Sequence, residues 1–455
     1  MPPPLSGREI AISKRRPNNK LCHGATSAST SGWADLLDCL LHHIMSLLSS
    51  FPDLLAFTGT CRSWRAALAS FPSTWSFSIP PLHLQSHGRY PLRTRMHTRY
   101  SHRKNRRHVT YSLCPKIDVR EYSLLYNCEW QLTDPVQGSS RHCSPPQNIA
   151  CPSMNYLDSS YGHLIFSNST HSLLVDVFSG ATVRPPRFEP VAKGEIVHGI
   201  LDAPINSPNS HLFLLSASSI FQWKVGSNSW VEHCLIVERI LQIVFFKGEM
   251  YAVDDGHGIH IIRLAPQPSI HEVKLDLKEY LGEDIMCDLS NWLMVCGGML
   301  LFVNLYTMPD DFATFRVFRL DVSIEPAKCV KVENMGNHAI FLSCDLTNPV
   351  FSCTNPERWG GKSNCFYIAT HPEDSNKPWT VFELGQTVPL STWWCIRHPD
   401  HDGKRPDDLW VLPSLVYDVG REVAVAERPS LKPFHALSST SSSSSSSSSA
   451  SGPDV

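Results

Sequence analysis

From about residue 111 to about residue 427, short β-type runs and tight turns alternate without a break, and that series constrains the fold more than any other feature of the chain. The pattern shows in HLIFSNSTHSLLVDVFSGATVRPP from His163, LFLLSASSIFQWKVGSNSWVEH from Leu212 and MYAVDDGHGIHIIRL from Met250. It continues in LLFVNLY with TFRVFRLDV from Leu300, and in NCFYIATHPEDSNKPWTVFEL from Asn364. Each piece sets two apolar or alternating runs on either side of Ser, Asn, Asp, Gly or Pro, which is the signature of a hairpin. At about 45 residues for each four-stranded unit, the region accommodates six or seven blades of a β-propeller. A lone blade exposes two apolar faces, and stacking around a ring buries both. A sandwich is the alternative, but so long a series of hairpins fits it less economically.

The N-terminal part has a different period. In WADLLDCLLHHIMSLLS, Leu36, Leu37, Leu40, Leu41, Ile44, Leu47 and Leu48 recur at steps of three and four, one wide stripe on a helix. Asp35 is the expected N-cap, and Ser49, Ser50 and Pro52 the expected stop. A second helix is expected from about Asp53, broken by Gly59, and a third after Thr60 with Cys61, Trp64, Ala67 and Leu68 on one face. Three helices in so short a stretch make a core too small to stand alone. A partner surface or the following domain has to complete it.

These residues carry a resemblance. Trp33-Ala34-Asp35-Leu36, Leu40-Leu41, Ile44, Leu47, Asp53 and the closing Thr60-Cys61-Arg62-Ser63-Trp64-Arg65 resemble a plant F-box, with Leu37 where that family usually has proline. The resemblance implies docking to a Skp-type adaptor, and through it to a cullin scaffold. Carried over, the adaptor-binding candidates are Leu36, Leu40, Leu41 and Ile44, and Leu47, Cys61, Trp64 and Leu68 pack the unit. The bland alternative is an amphipathic helical cap on the large domain. The β region in turn resembles the KIB-type propeller, a plant domain of unknown function that commonly follows an F-box. The matching pieces are LLVDVFSGATVRPP (173–186), VFFKGEMYAVDDGHGI (244–259), FRVFRLDV (315–322), VKVENMGNHAIFLSC (330–344) and SNCFYIAT (363–370).

The remaining features set the context. A net charge of −2 argues against a globally basic nucleic-acid binder. Fifteen cysteines contain no CxxC, and the first twenty residues lack an apolar run, so a reducing compartment, cytoplasmic or nuclear, is expected, with no membrane span. Catalytic signatures such as GxSxG, HExxH or a P-loop are absent, so neither an enzyme nor a cofactor is expected. Two polar clusters, Asp254, Asp255, His257 and His260, and His398, Asp400, His401 and Asp402, read as turn chemistry before they read as metal ligands; no metal is expected. The strongest charge feature holds Arg89, Arg93, Arg95, Arg99, Arg103, Lys104, Arg106 and Arg107. It reads first as a solvated linker and second as a nuclear-import signal centred on Arg103, Lys104, Arg106 and Arg107.

The expected organisation is mainly β: a disordered N-terminus (1–31), a three-helix F-box (32–75), a basic linker (76–110), a six- or seven-bladed propeller (111–427) and a disordered Ser-rich tail (428–455). The expected role is that of a non-catalytic substrate receptor in an SCF-type ubiquitin ligase, whose propeller binds an unidentified protein target. A propeller binding protein outside any ligase, or a propeller hydrolase with a helical cap, is the alternative.

Overall fold

In the computed structural model the described residues are 32–71, 79–87, 96–100, 113–117, 129–143, 154–188, 196–235, 240–254, 256–276, 288–308, 312–343, 346, 348–369, 379–389 and 408–417. The termini expected to be disordered, the expected import signal, Trp393, Trp394 and the His398–Asp402 cluster fall outside them.

Six blades form the ring. The second blade runs Asn155–Ser160, His163–Ser167, Ser172–Asp176 and Thr182–Val183, each strand antiparallel to the last. Its two central strands are buried along their whole length, so they read as continuous apolar runs and not as alternating ones. The third blade (196–234) and the fourth (240–272) repeat this meander. The fifth has long strands, Met299–Met308 and Phe312–Asp321, and gains Leu275–Asp276 and Val388–Pro389 at its margins. In the sixth, His338–Ser343 lies between Phe351–Thr354 and Cys365–Ala369, and pairs in parallel with the latter.

Closure joins the two ends of the chain. Leu82–His87 pairs with Asp408–Val411 on one side and with Glu129–Thr133 on the other. The propeller therefore begins at Leu82, inside the stretch that composition assigned to a linker. After Val411 a short turn (Ser414–Val416) presses on the second blade. A Cβ on Gly162 would lie 2.2 Å from the Ser414 backbone nitrogen, and Gly162 holds φ at +78°. Only glycine meets both demands.

The leading strands of successive blades neighbour one another, and four of them bulge near the start. The register shifts fall at Tyr156/Asp158, Ile196/His198, Ile240/Gln242 and Asp288/Ser290. Each bulge is followed by a buried polar residue: Asp158, His198, Gln242 and Ser290. A bulge increases local twist and re-aims the next side chain, and here it recurs from blade to blade.

The helical unit comprises a 3-10 turn (Trp33–Asp35) and three helices, α1 (Asp38–Leu47), α2 (Phe51–Thr60) and α3 (Arg62–Ala69). The stripe is thus not one helix capped by Asp35, because Leu36 and Leu37 are both extended and separate the turn from α1. Ser50 caps α2, accepting from the Asp53 amide at 3.2 Å. Gly59 stays helical although it is exposed; the buried Phe57 and Thr58 beside it anchor α2 against its poor propensity. Among the described residues no helix is long and apolar enough to cross a membrane.

Candidate functional site: an uncovered apolar edge on the helical unit

The leucine stripe is divided lengthwise. Leu41 and Met45 are fully buried and share one core with Phe51, Leu54, Ala67, Leu68 and Phe71 of the unit. That core also takes in Leu82, Leu84, Trp130 and Leu132 of the closing blade, and Tyr156, Phe166 and Val175 of the second. The small unit thereby completes its interior on its own propeller. Leu36 and Ile44 are half-buried at the margin of this core. On the other side, Trp33 (77 %), Leu37 (68 %), Leu40 (48 %) and Leu47 (60 %) are exposed. Four large apolar side chains left in water on one small module mark an interaction surface.

Polar contacts fix the module's internal geometry. The Trp64 indole donates to the Trp33 carbonyl at 2.8 Å, and the Ser63 hydroxyl donates to the Ala34 carbonyl at 2.7 Å. These hold the N-terminal turn against α3 and present Trp33 outward. The His42 Nε2 lies 3.1 Å from the Ala67 carbonyl, tying α1 to α3. Trp64 is half-buried with its ring 4.7 Å from Phe57, Leu68 is buried, and Cys61 caps α3 half-exposed. A hydrogen bond with the Ser63 hydroxyl holds the Cys61 thiol below its usual pKa.

Three blades grip the module. Gln137, in the turn of the closing blade, donates to the Ser50 hydroxyl at 3.1 Å. Phe51 meets Phe178 of the second blade edge to face, at 4.9 Å, and Arg141 lies over the Phe178 ring at 4.4 Å. From the sixth blade, Arg358 Nη2 donates to the Ser46 carbonyl.

The division redraws two roles expected from spacing. Leu41 lies sealed in the chain's own core and offers no surface to a partner, while Leu47 is exposed and packs nothing. Leu37 and Trp33 join Leu40 on the open edge; their signal in the sequence was a leucine where the resemblance has proline, and a tryptophan ahead of the stripe.

The other candidates resolve into turn chemistry and packing. Asp254 accepts from the Gly256 and Gly258 amides at 2.9 and 2.7 Å, and lies 2.8 Å from His260 Nε2. It organises a tight loop in which a Cβ on Gly258 would crowd its carboxylate at 2.8 Å. Asp255 is outside the described residues. Among the described residues no group of three or more His, Cys, Asp or Glu is disposed to hold a metal ion. Trp359 packs inward and donates to Cys353 Sγ at 3.4 Å. His198 Nε2 stands 3.6 Å from Asp158 Oδ2, with side-chain exposures of 2 % and 5 %. Burial lowers the His198 pKa to about 4.

The fold and the edge define the class: a six-bladed propeller carrying a trihelical unit whose outer apolar edge is uncovered. A family model described as KIB1-4 beta-propeller matches residues 131–384, and the chain belongs to that family, as an F-box protein with a KIB-type propeller. A curated Arabidopsis thaliana relative, named "Putative F-box protein At3g25750", is 22 % identical over 369 residues, spanning 77 % of this chain and 91 % of its own. Solved structures match loosely. Regucalcin from Agrobacterium tumefaciens is 13 % identical, covering 46 % of this chain and 68 % of its own, with a TM-score of 0.28. AztD from Citrobacter koseri is 15 % identical, with a TM-score of 0.27; the match covers 45 % of this chain and 57 % of AztD.

Proposed function

We propose that the chain is the substrate-receptor subunit of an SCF-type ubiquitin ligase, with the helical unit docking a Skp-type adaptor and the propeller holding a protein target. The observation that carries this reading is the uncovered edge of Trp33, Leu37, Leu40 and Leu47 on an otherwise satisfied module. The name of the Arabidopsis relative supports it. Such a receptor accelerates ubiquitin transfer without a nucleophile of its own. It raises the effective concentration of the target near a charged conjugating enzyme, an advantage available only when the geometry lets both ends engage at once. The three-blade grip on the module favours that geometry, since it fixes the direction in which an adaptor would leave the ring. A cytoplasmic or nuclear site of action is part of the proposal.

The test is affinity purification of the full chain from cells, followed by mass spectrometry. A Skp-type adaptor and a cullin are expected with the wild type and are expected to vanish with Leu40→Asp/Leu47→Asp. Adaptor retention in that double variant would overturn the docking assignment.

A further inference from the structure

The fifth blade is taller than the fourth beside it, and one side of the taller part is polar. Its middle strands, Met299–Met308 and Phe312–Asp321, are 10 residues long each, against 6 and 5 for Glu249–Asp254 and Ile259–Arg263. Side chains alternate between the two sides of a sheet. On one side Leu305, Ala313, Phe315 and Val317 pack into the core shared with the sixth blade. On the other, Phe302 and Phe318 share a core with Tyr251, Val253 and Ile259 of the fourth. Two residues further along, that second side changes character. Asn291, Asn304 and Arg316 form one cross-strand row, and Tyr306 and Thr314 belong to the next.

The Leu293 amide donates to Gln242 Oε1 at 2.6 Å, which sets the relative height of the two blades. Gln242 lies two residues from Ile240, where the fourth blade's leading strand starts, and Asn291 lies two residues from Leu293 in the same direction. The Asn291 row is therefore about level with the edge of the fourth blade, and the Tyr306 row about 7 Å past it. In an antiparallel blade the first–second and third–fourth turns share one end, and the second–third connection lies at the other. The helical unit is held by third–fourth turns, through Gln137 in the closing blade and Phe178 in the second. The Met308/Phe312 end is a second–third end, so the polar rows lie on the side of the ring away from the helical unit.

These rows hold donors that the protein leaves unused. Asn304 Nδ2 donates to Asn291 Oδ1 at 2.7 Å, and Asn291 Nδ2 has no partner although the residue is only 4 % exposed. The Thr314 hydroxyl is also buried and unpartnered. Arg316 is half-buried, its guanidinium carbon 3.8 Å from the centre of the Tyr306 ring, and among the described residues no carboxylate pairs with it. A buried donor without an acceptor destabilises a fold until something supplies one. A carboxylate answers all three groups, since it accepts from a guanidinium fork, an amide and a hydroxyl. Phe312, exposed at the margin, offers an apolar anchor beside them.

We propose that this side of the fifth blade binds the target, recognising a carboxylate side chain in an exposed segment of a protein, with Arg316 as the principal contact. The proposal rests on the target-recruiting reading above and adds the face used and the chemistry recognised. A phosphorylated residue is the competing anion, but sites for it gather several cations, and Arg316 is the single cation in these described rows.

The probe is a degenerate hexapeptide library in which Asp, Glu, Asn, Gln and phosphoserine are all represented, selected on the immobilised full-length chain. The wild type is expected to enrich Asp or Glu at one position, and the best peptide to lose at least about tenfold in affinity when that residue becomes its amide. Arg316→Gln is expected to abolish the enrichment and weaken the best peptide at least about tenfold, with adaptor binding and melting temperature unchanged. Thr314→Val separates recognition from folding and covers a failure of Arg316→Gln to fold. The Thr314 hydroxyl satisfies nothing in the protein, so this variant should be at least as stable as the wild type, yet bind the peptide about threefold or more weakly. No acidic enrichment by the wild type, undiminished affinity in a folded Arg316→Gln or Thr314→Val protein, or stronger enrichment of phosphoserine than of Asp and Glu would each overturn the proposal. Acidic enrichment that depends on Arg316, in a wild type that binds no adaptor, would sink the ligase reading and leave this site standing.

Discussion

Leu37 sits at φ −62° and ψ 143°, inside the narrow φ window that a proline ring imposes. Its predecessor Leu36 is extended at φ −62° and ψ 140°, the conformation a residue before proline must adopt. The leucine therefore keeps the backbone that the F-box resemblance expects of proline, and adds an exposed apolar side chain. Leu37→Pro is expected to raise stability by about 0.4–1 kcal/mol, through the unfolded chain; urea denaturation measures it, and a loss of stability would show that the Leu37 amide is needed. Asp134 is the second residue whose state matters. It is buried at the seam with the helical unit and accepts from the Val136 amide at 2.8 Å. Burial, with Asp53 of the module adding to it, raises its carboxyl to about 6. Because the folded-state value lies above the unfolded one, this group's contribution is fully present below about pH 4 and is lost as pH rises through about 6. Asp134→Asn should therefore gain up to about 3 kcal/mol over the wild type above pH 6, and the gain should shrink to nothing near pH 4. Unfolding free energies measured across that range decide it; a pH-independent difference would refute the assignment.

Helix α1 shows which features of an element can be read from the chain and which cannot. Its amphipathic period is plain in the leucine spacing, but the half that meets the protein's own blades is set by docking onto strands distant in sequence, so Leu41 and Leu47 exchange their expected roles. Gly59 fails as a breaker although it is exposed and meets nothing in space, because the buried Phe57 and Thr58 beside it anchor α2 and a glycine costs a helix only about 1 kcal/mol. The hairpins of the second to fifth blades are legible because their strands are contiguous and bounded by turn residues. Leu82–His87 is not, since LHLQSH has a partner, Asp408–Val411, supplied from the other end of the chain. The recurrent bulges leave no periodic trace either, because an extra residue resembles ordinary strand sequence. The divided stripe makes a direct prediction. Leu41→Ala opens a cavity in a closed core and should cost about 2–5 kcal/mol, whereas Leu40→Asp or Leu47→Asp should change folding stability by no more than about 0.5 kcal/mol. Thermal and chemical denaturation of the three variants test it; a Leu40→Asp protein as unstable as Leu41→Ala would mean that the outer leucines are structural.

At the scale of the molecule, the chain's two ends close one ring, and the helical unit is built onto the blade where they meet. One apolar core runs from α1 into the closing and second blades, so the module is a fixed extension of the propeller. This changes what the small helical core implies. Its incompleteness is answered first by the chain itself, and only the outer edge is left uncovered. Legible in advance were the ring and the three helices; the split between self-contact and open edge depends on how the module lies on the ring. The most direct test is isothermal titration calorimetry of the purified full-length chain with a purified Skp-type adaptor. A one-to-one complex is expected, weakened at least about thirtyfold by Leu37→Asp/Leu40→Asp with the unfolding transition unchanged. No complex with the wild type, or equal affinity in the double variant, would contradict the account.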